Sequence, residues 1–319
     1  MKMLFRRTFL LLMMLAALPL GAAESDLRLF DAVWEAVCRR HYDPDFAENH
    51  RALRDRYRPQ VAAAKTPNGA ARLINQMLAE TGESHLALLL PELETETPEA
   101  PKPEAADGAI TFDDGQIRIS VQYEAERLSE TAGLLRFSAF VPEVVKRFRR
   151  DLKTRFAGCR GLIIDLRGNP GGMTETAKHL ASWCSPERID FGTMTINGTP
   201  LAFRSAPQKG CFQGKIAILI DGESCSASEL FAAAMQDADA ARIFGAASPG
   251  KCLTSVIVPM PDGFRLQLAF GDVRRADGGR IEGVGVTPDV PCSDDEAVEK
   301  ARKWIDEKSF FEEIFTWWN

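Results

Sequence analysis

The chain has 319 residues, of which 45% are hydrophobic and 26% charged, and its formal net charge is −6. This composition favours a folded soluble protein and excludes a disordered chain, and the length suits one large domain or two smaller domains with a hydrophobic core. An acidic chain without a basic cluster cannot follow a phosphate backbone, so nucleic acid is not an expected partner.

The first 23 residues have the pattern of a secretory signal peptide. MKMLFRR is basic, TFLLLMMLAALPL is apolar but too short to span a bilayer, and GAA supplies small residues before an expected cleavage at Glu24. Cleavage removes Lys2, Arg6 and Arg7 and changes the formal charge from −6 to −9. We therefore expect an exported protein, in a bacterial periplasm, with no membrane span after cleavage; an uncleaved anchor is the alternative.

Seven cysteines lack the CxxC spacing of zinc or thioredoxin-like sites, so no metal site is expected. Their odd number leaves at least one thiol unpaired within the chain, and an oxidising compartment permits disulfides among the others. Cys225 and Cys252 flank two candidate site residues, and they form either a disulfide or two packed thiols.

Residues 24–90 are expected to form a helical subdomain. Apolar residues recur at steps of three and four from Asp26 to about Arg40, and further helices are expected from Phe46 to the Val61 region and from Pro67 to Glu80. HLALLL, residues 85–90, changes to a short apolar run that is typical of a buried strand.

Residues 91–107, PELETETPEAPKPEAAD, contain four prolines and a surplus of acids, which predicts a solvated linker.

In the second predicted domain, residues 108–319, AITF and QIRISVQY predict a hairpin. From Gly161 onward apolar strands alternate with helical segments, which predicts an α/β domain with a mixed, mostly parallel sheet. VIVPM and FRLQLAF add an antiparallel pair.

Candidate functional residues lie at two predicted junctions between a strand and a helix. GLIIDLRGNPGG, residues 161–172, ends a strand in a glycine-rich loop whose N–H groups can point at a bound group, yet it lacks the dinucleotide and P-loop patterns. KIAILID precedes Ser226-Ala-Ser-Glu229, so Ser226 lies where a helix N-terminus can stabilise an oxyanion. The same spacing is that of a capping box, so Ser226 is either a helix cap or a nucleophile.

Three ordered blocks, GLIIDLRGNPGG, SCSASELFAAAMQDADAARIFGAASPGK and RIEGVGVTPDV, strongly resemble the S41 serine peptidases, the family of the C-terminal processing proteases and the tricorn core protease. The matching blocks cover roughly residues 134–302. The resemblance implies a catalytic domain of crotonase-like ββα fold that needs no metal or organic cofactor. It also implies that Ser226 is the nucleophile and that Gly171, Gly172 and Ala227 supply the oxyanion hole.

Within this resemblance, two residues compete as the general base. Processing proteases use a lysine 25 residues after the serine, which matches Lys251, but Ser255 replaces the glutamine that assists the lysine. The tricorn-like branch has a Ser-His pair and a glutamate, which match Ser84, His85 and Glu282. Because histidine has an unperturbed pKa of about 6.5, it accepts a proton near neutrality with little tuning. We favour His85, oriented by Ser84 and Glu282, and keep Lys251 as the alternative.

About forty residues separate HLALLL from GLLRFSAF, too few for the complete PDZ domain that many family members carry. The expected function is therefore an exported serine endopeptidase that hydrolyses short peptides or unfolded proteins, with its oligomeric state open. Two alternatives come from other classes of protein. One is a catalytically silent peptide-binding protein with the same fold, and the other is a crotonase-type acyl-CoA enzyme, which a secretory signal disfavours.

Overall fold

A computed structural model of the chain describes residues 20–91, 109–113, 118–196 and 198–307. Most of the predicted signal peptide and nearly all of the predicted linker lie outside these residues. The helices are α1 (Leu20–Arg40), α2 (Phe46–Asn49), α3 (Arg51–Ala62), α4 (Pro67–Ala79), α5 (Pro142–Lys153), α6 (Thr174–Cys184), α7 (Ala227–Asp237) and α8 (Asp294–Asp306). The strands are β1 (Ala87–Leu89), β2 (Ala109–Asp113), β3 (Arg118–Arg127), β4 (Ala132–Phe137), β5 (Gly161–Asp165), β6 (Asp190–Ile196), β7 (Thr199–Arg204), β8 (Lys215–Ile220), β9 (Arg242–Gly245), β10 (Thr254–Pro259), β11 (Arg265–Arg274) and β12 (Val290–Pro291).

The N-terminal helices form the predicted helical unit, whose core contains Phe30, Val33, Ile74 and Met77. The single helix predicted from Phe46 is two helices, because the backbone leaves helical geometry at His50, whose side chain donates a hydrogen bond to the Phe46 carbonyl at 3.0 Å. Helix α1 begins at Leu20 and therefore includes the predicted cleavage position. No helix among the described residues has the length and apolarity needed to cross a bilayer.

A seven-stranded sheet in the order β12-β9-β8-β5-β4-β3-β2 confirms the predicted α/β fold. Pairing is parallel from β12 to β4 and antiparallel at β3 and β2. Successive residues face opposite sides of the sheet: Ile163 and Leu219 join a cluster with α8, whereas Ile164 and Ile218 join the larger cluster that includes α6 and α7. Strand β5 is buried along its whole length because helices cover both faces.

A second, antiparallel sheet has the order β1-β11-β6-β7, with β10 also pairing with β11. The β10–β11 pair was expected, whereas the β6–β7 hairpin was not. Strand β1 comes from the N-terminal part of the chain and pairs with β11 from the C-terminal part, with Leu88 opposite Leu266. The predicted division at residues 91–107 stays a prediction, and this sheet joins the segments on either side of it.

Candidate active site

Ser226 lies in a sharp turn between β8 and α7 with a positive backbone φ of 55°. This conformation is costly for a residue with a side chain, so the surrounding structure must hold it. The Ser226 N–H donates to the Lys251 carbonyl oxygen at 2.8 Å and to Glu229 Oε2 at 3.0 Å. The Glu229 bond belongs to the predicted capping box, and the half-buried Ser226 side chain also lines a cavity.

The glycine-rich loop after β5 packs directly on this turn. A Cβ on Gly171, whose φ is 104°, would lie 2.7 Å from Ser226 Cβ and 2.9 Å from the Ala227 nitrogen, so the approach requires glycine. Asn169 fastens the loop, because its carbonyl oxygen accepts the Cys225 N–H at 3.1 Å and the Ser228 hydroxyl at 3.0 Å.

The backbone N–H groups near Ser226 differ in their availability. The Gly171 N–H already donates to Asn169 Oδ1 at 2.9 Å. The Gly171 carbonyl and the Met173 N–H both pair with Phe140, so the Gly172 N–H between them faces the other way, and Gly172 lines the cavity. The N–H groups of Gly172 and Ala227 have no acceptor among the described residues. Helix α7 adds positive potential at its N-terminus beside Ala227.

Ser84, His85 and Glu282 form a connected chain of hydrogen bonds. The Ser84 hydroxyl is 2.8 Å from His85 Nδ1 and donates to Glu282 Oε2 at 2.9 Å, while the Ser84 N–H donates to Glu282 Oε1 at 3.0 Å. Glu282 is buried and also accepts the N–H groups of Cys252 and Leu253, at 2.6 and 3.2 Å. A buried carboxylate is tolerated when its oxygens are satisfied in this way.

This chain of bonds determines the tautomer of His85. A serine hydroxyl has one proton, and that of Ser84 goes to Glu282. Ser84 Oγ must therefore accept from His85, which requires the proton of the neutral imidazole to be on Nδ1. Nε2 then keeps an unprotonated lone pair, which is what a general base needs.

Burial lowers the pKa of His85 below its ordinary 6.5; the negative charge of Glu282 raises it, and the positive charge of Lys251 lowers it further. A neutral His85 is therefore the dominant form at neutral pH. Lys251 itself has an exposed side chain, and it is not among the residues that line the cavity. A lysine base would need a desolvated site to lose its proton near neutrality.

His85 and Ser226 line the same cavity of about 550 Å³. Its walls are mostly apolar, and they include Phe112 and Ile119, which face each other across the β2–β3 hairpin. Gln267 also lines the cavity and donates to Ser255 Oγ at 3.1 Å. No motif in the sequence indicates Gln267, because only the pairing of β10 with β11 brings it beside Ser255, the serine that replaces the expected glutamine.

All seven cysteines are free thiols, so Cys225 and Cys252 are not joined, and the Cys252 thiol contacts the Ser226 carbonyl at 3.6 Å. Among residues 20–91, 109–113, 118–196 and 198–307, no group of three or more histidine, cysteine or acidic side chains is arranged to hold a metal ion.

Residues 131–292, just over half of the chain, match the model of peptidase family S41, and residues 26–79 match that of the tricorn protease C1 domain. A carboxyl-terminal-processing protease of Synechocystis sp. is 27% identical over 172 residues, which cover 54% of this chain and 40% of that relative. The chain spans less than half the length of the curated relatives it matches.

Two solved structures share the fold. The photosystem II D1 C-terminal processing protease is 18% identical with a TM-score of 0.59, over 84% of this chain and 93% of that one. The tricorn protease is 15% identical with a TM-score of 0.62, over 88% of this chain and 35% of that one. At these identities the likeness concerns the fold alone.

Proposed function

The chain belongs to peptidase family S41, and we propose that it is an exported serine endopeptidase in which Ser226 is the nucleophile and His85 the general base. One observation carries this proposal: the hydrogen bonds among Ser84, His85 and Glu282 leave Nε2 of His85 unprotonated, and His85 lines the same cavity as Ser226. The exposure of Lys251 supports the choice of histidine over lysine.

The reaction proceeds through an acyl-enzyme. Ser226 Oγ attacks the carbonyl carbon of the scissile peptide bond while its proton passes to His85 Nε2. The tetrahedral intermediate collapses as the C–N bond breaks, and His85 returns the proton to the leaving amine. Water then attacks the ester, again with its proton taken by His85, and releases the carboxylic acid and free Ser226. Glu282, acting through Ser84, stabilises the imidazolium that forms in both halves of the reaction.

Two backbone donors stabilise the oxyanion in this mechanism. The Ala227 N–H at the start of α7 is one, and the Gly172 N–H is the other, because both lack an acceptor among the described residues. Gly171 serves mainly through its lack of a side chain, since its N–H is bound to Asn169 and its Cα packs on Ser226.

The shape and chemistry of the cavity support peptides or unfolded protein segments as substrates. Its volume of about 550 Å³ is that of a small-ligand site, and its apolar wall favours an apolar residue next to the cleaved bond. The Synechocystis relative is named for carboxyl-terminal processing, and cleavage near C-termini is one form that this activity can take. Export rests on the basic, apolar and small-residue pattern of residues 1–23.

Fluorophosphonate labelling of the wild-type protein beside Ser226→Ala, His85→Ala and Lys251→Ala tests the proposal, with circular dichroism to verify each fold. We expect labelling to disappear in the first two variants and to persist in the third. If labelling disappeared in Lys251→Ala but persisted in His85→Ala, the general base would be Lys251, in a dyad with Ser226. Absence of labelling in the wild type over a broad pH range would contradict a serine peptidase and favour the silent peptide-binding protein.

A further inference from the structure

The Glu229 carboxylate accepts more hydrogen bonds than a helix cap requires. Its side chain is fully buried at the third position of α7. Oε2 accepts the N–H groups of Ser226 at 3.0 Å and Lys251 at 2.8 Å. Oε1 accepts the Gly250 N–H and the Ser248 hydroxyl, both at 2.7 Å. A capping box accounts for the Ser226 bond, whereas the other three fix the loop that precedes β10.

Residues 250–253, which we name the bridging segment, donate their four backbone N–H groups to two buried carboxylates. The first two N–H groups bind Glu229, and the last two bind Glu282. The Lys251 carbonyl in the middle of the segment accepts the Ser226 N–H at 2.8 Å. The bridging segment therefore connects the turn that carries Ser226 with the carboxylate that holds Ser84 and His85.

Burial disfavours the charged form of Glu229, and its four donors oppose that effect. Removing the carboxylate would deprive the Gly250 and Lys251 N–H groups and the Ser248 hydroxyl of this acceptor. The Ser226 N–H, in the turn with a φ of 55°, would keep only the Lys251 carbonyl as its acceptor. Among the described residues, no hydrogen bond joins Ser226 or Glu229 directly to the Ser84-His85-Glu282 chain. The separation between Ser226 Oγ and His85 Nε2 therefore depends on the bridging segment.

We propose that Glu229 is a positioning residue that aligns Ser226 with the Ser84-His85-Glu282 unit by holding the bridging segment. This inference rests on the proposed function. Glu229 touches neither substrate nor the reacting atoms, and it acts on the rate of acylation through the geometry of the two residues that do. Misplacement of a reacting group by about 1 Å can lower a rate by about 100-fold.

Glu229→Gln tests the proposal, because the amide keeps the shape but turns one acceptor oxygen into a donor that faces N–H groups. The matched control is Glu296→Gln. Glu296 occupies the same position of the Ser293 capping box on α8, exposed to solvent and outside the cavity. Ser248→Ala is a milder second variant that removes a single donor to Glu229. The measurement is the rate of fluorophosphonate acylation from pH 5 to 9, divided by the folded fraction from circular dichroism.

We expect Glu296→Gln to react at the wild-type rate and Glu229→Gln to react about 100-fold more slowly per folded molecule. The acid limb of the pH profile should stay within the same pH range, because His85 keeps its partners. Equal rates for the two glutamine variants would overturn the proposal, since both would then have lost only a cap. If Glu229→Gln does not fold, Ser248→Ala decides: a slower folded enzyme supports the proposal, and an unchanged rate overturns it. An unlabelled wild-type protein would instead refute the proposed function.

Discussion

At the scale of single residues, removing the positive charge of Lys251 tests whether His85 or Lys251 is the general base. That charge lowers the pKa of His85, so Lys251→Met should raise the pKa. The base must be neutral to accept a proton, so the acid limb of the acylation rate should move to higher pH, with the alkaline plateau retained. Lys303→Met, at an exposed position of α8, should leave the profile unchanged. Loss of acylation at every pH in Lys251→Met would refute His85 as the base.

Gly171 and Gly168 offer a matched pair within one loop. Both have positive φ, 104° and 69°, but an added Cβ on Gly171 meets Ser226 at 2.7 Å, whereas one on Gly168 meets nothing within 4 Å. Gly168→Ala should therefore lose only about 1 to 2 kcal/mol of stability from backbone strain. Gly171→Ala should also displace Ser226 and abolish fluorophosphonate labelling of the folded protein. Equal labelling of the two variants would show that the close packing at Gly171 is dispensable.

At the scale of elements, the β2–β3 hairpin forms part of the substrate cavity through Phe112 and Ile119. Phe112→Ala should lower kcat/KM for peptides with a large apolar residue beside the cleaved bond by about 10-fold to 200-fold relative to peptides with alanine there. Thr111→Ala is the control, because Thr111 is exposed on the opposite face of the same strand. An equal loss for both peptide sets would mean that the hairpin stabilises the fold without selecting substrates.

Elements with local signals were predictable from the sequence. Helix α4 was expected from Pro67 to Glu80 and runs from Pro67 to Ala79, because Thr66 caps it with a 3.1 Å bond to Gly69 and proline suits its first turn. The β6–β7 hairpin was missed although Asn197-Gly198 is a strong turn signal between strands. The residues of β6 and β7 lack the continuous apolar run that predicts the buried parallel strands.

Local sequence patterns do not predict contacts between distant parts of the chain. The pairing of β1 with β11 joins residues near 88 and 266, and no local pattern encodes it. The motifs did identify Ser84, His85 and Glu282 as candidates, whose mutual hydrogen bonds the structure describes. The contribution of Gln267 depends on strand register, and the availability of the Gly172 N–H over that of Gly171 depends on hydrogen bonds to Phe140 and Asn169.

At the scale of the whole molecule, the candidate site lies between two hydrophobic clusters. His85 directly precedes Leu86 of the N-terminal cluster, whereas Ser226 directly precedes Ala227 of the main sheet cluster. A hydrogen bond between polar side chains also joins the two parts, because Arg280 donates to the Tyr42 hydroxyl at 3.0 Å. That hydroxyl in turn donates to Glu83, within the N-terminal part, at 2.9 Å. The two catalytic candidates can meet only while these parts stay docked.

Leu266 provides a test of this dependence, because it is fully buried in the N-terminal cluster and lies on β11 opposite Leu88 of β1. Leu266→Ala should lower the free energy of unfolding by about 2 to 5 kcal/mol, measured by urea titration. Leu201→Ala, on the exposed face of β7, should change it by less than about 0.5 kcal/mol. In Leu266→Ala, fluorophosphonate labelling should disappear at the urea concentration where the fluorescence of Trp34, in the N-terminal helices, changes in a variant with the other four tryptophans replaced by phenylalanine, because His85 then leaves Ser226. Labelling that persisted beyond that concentration would mean that Ser226 is activated without the N-terminal helices, and His85 could not be its base.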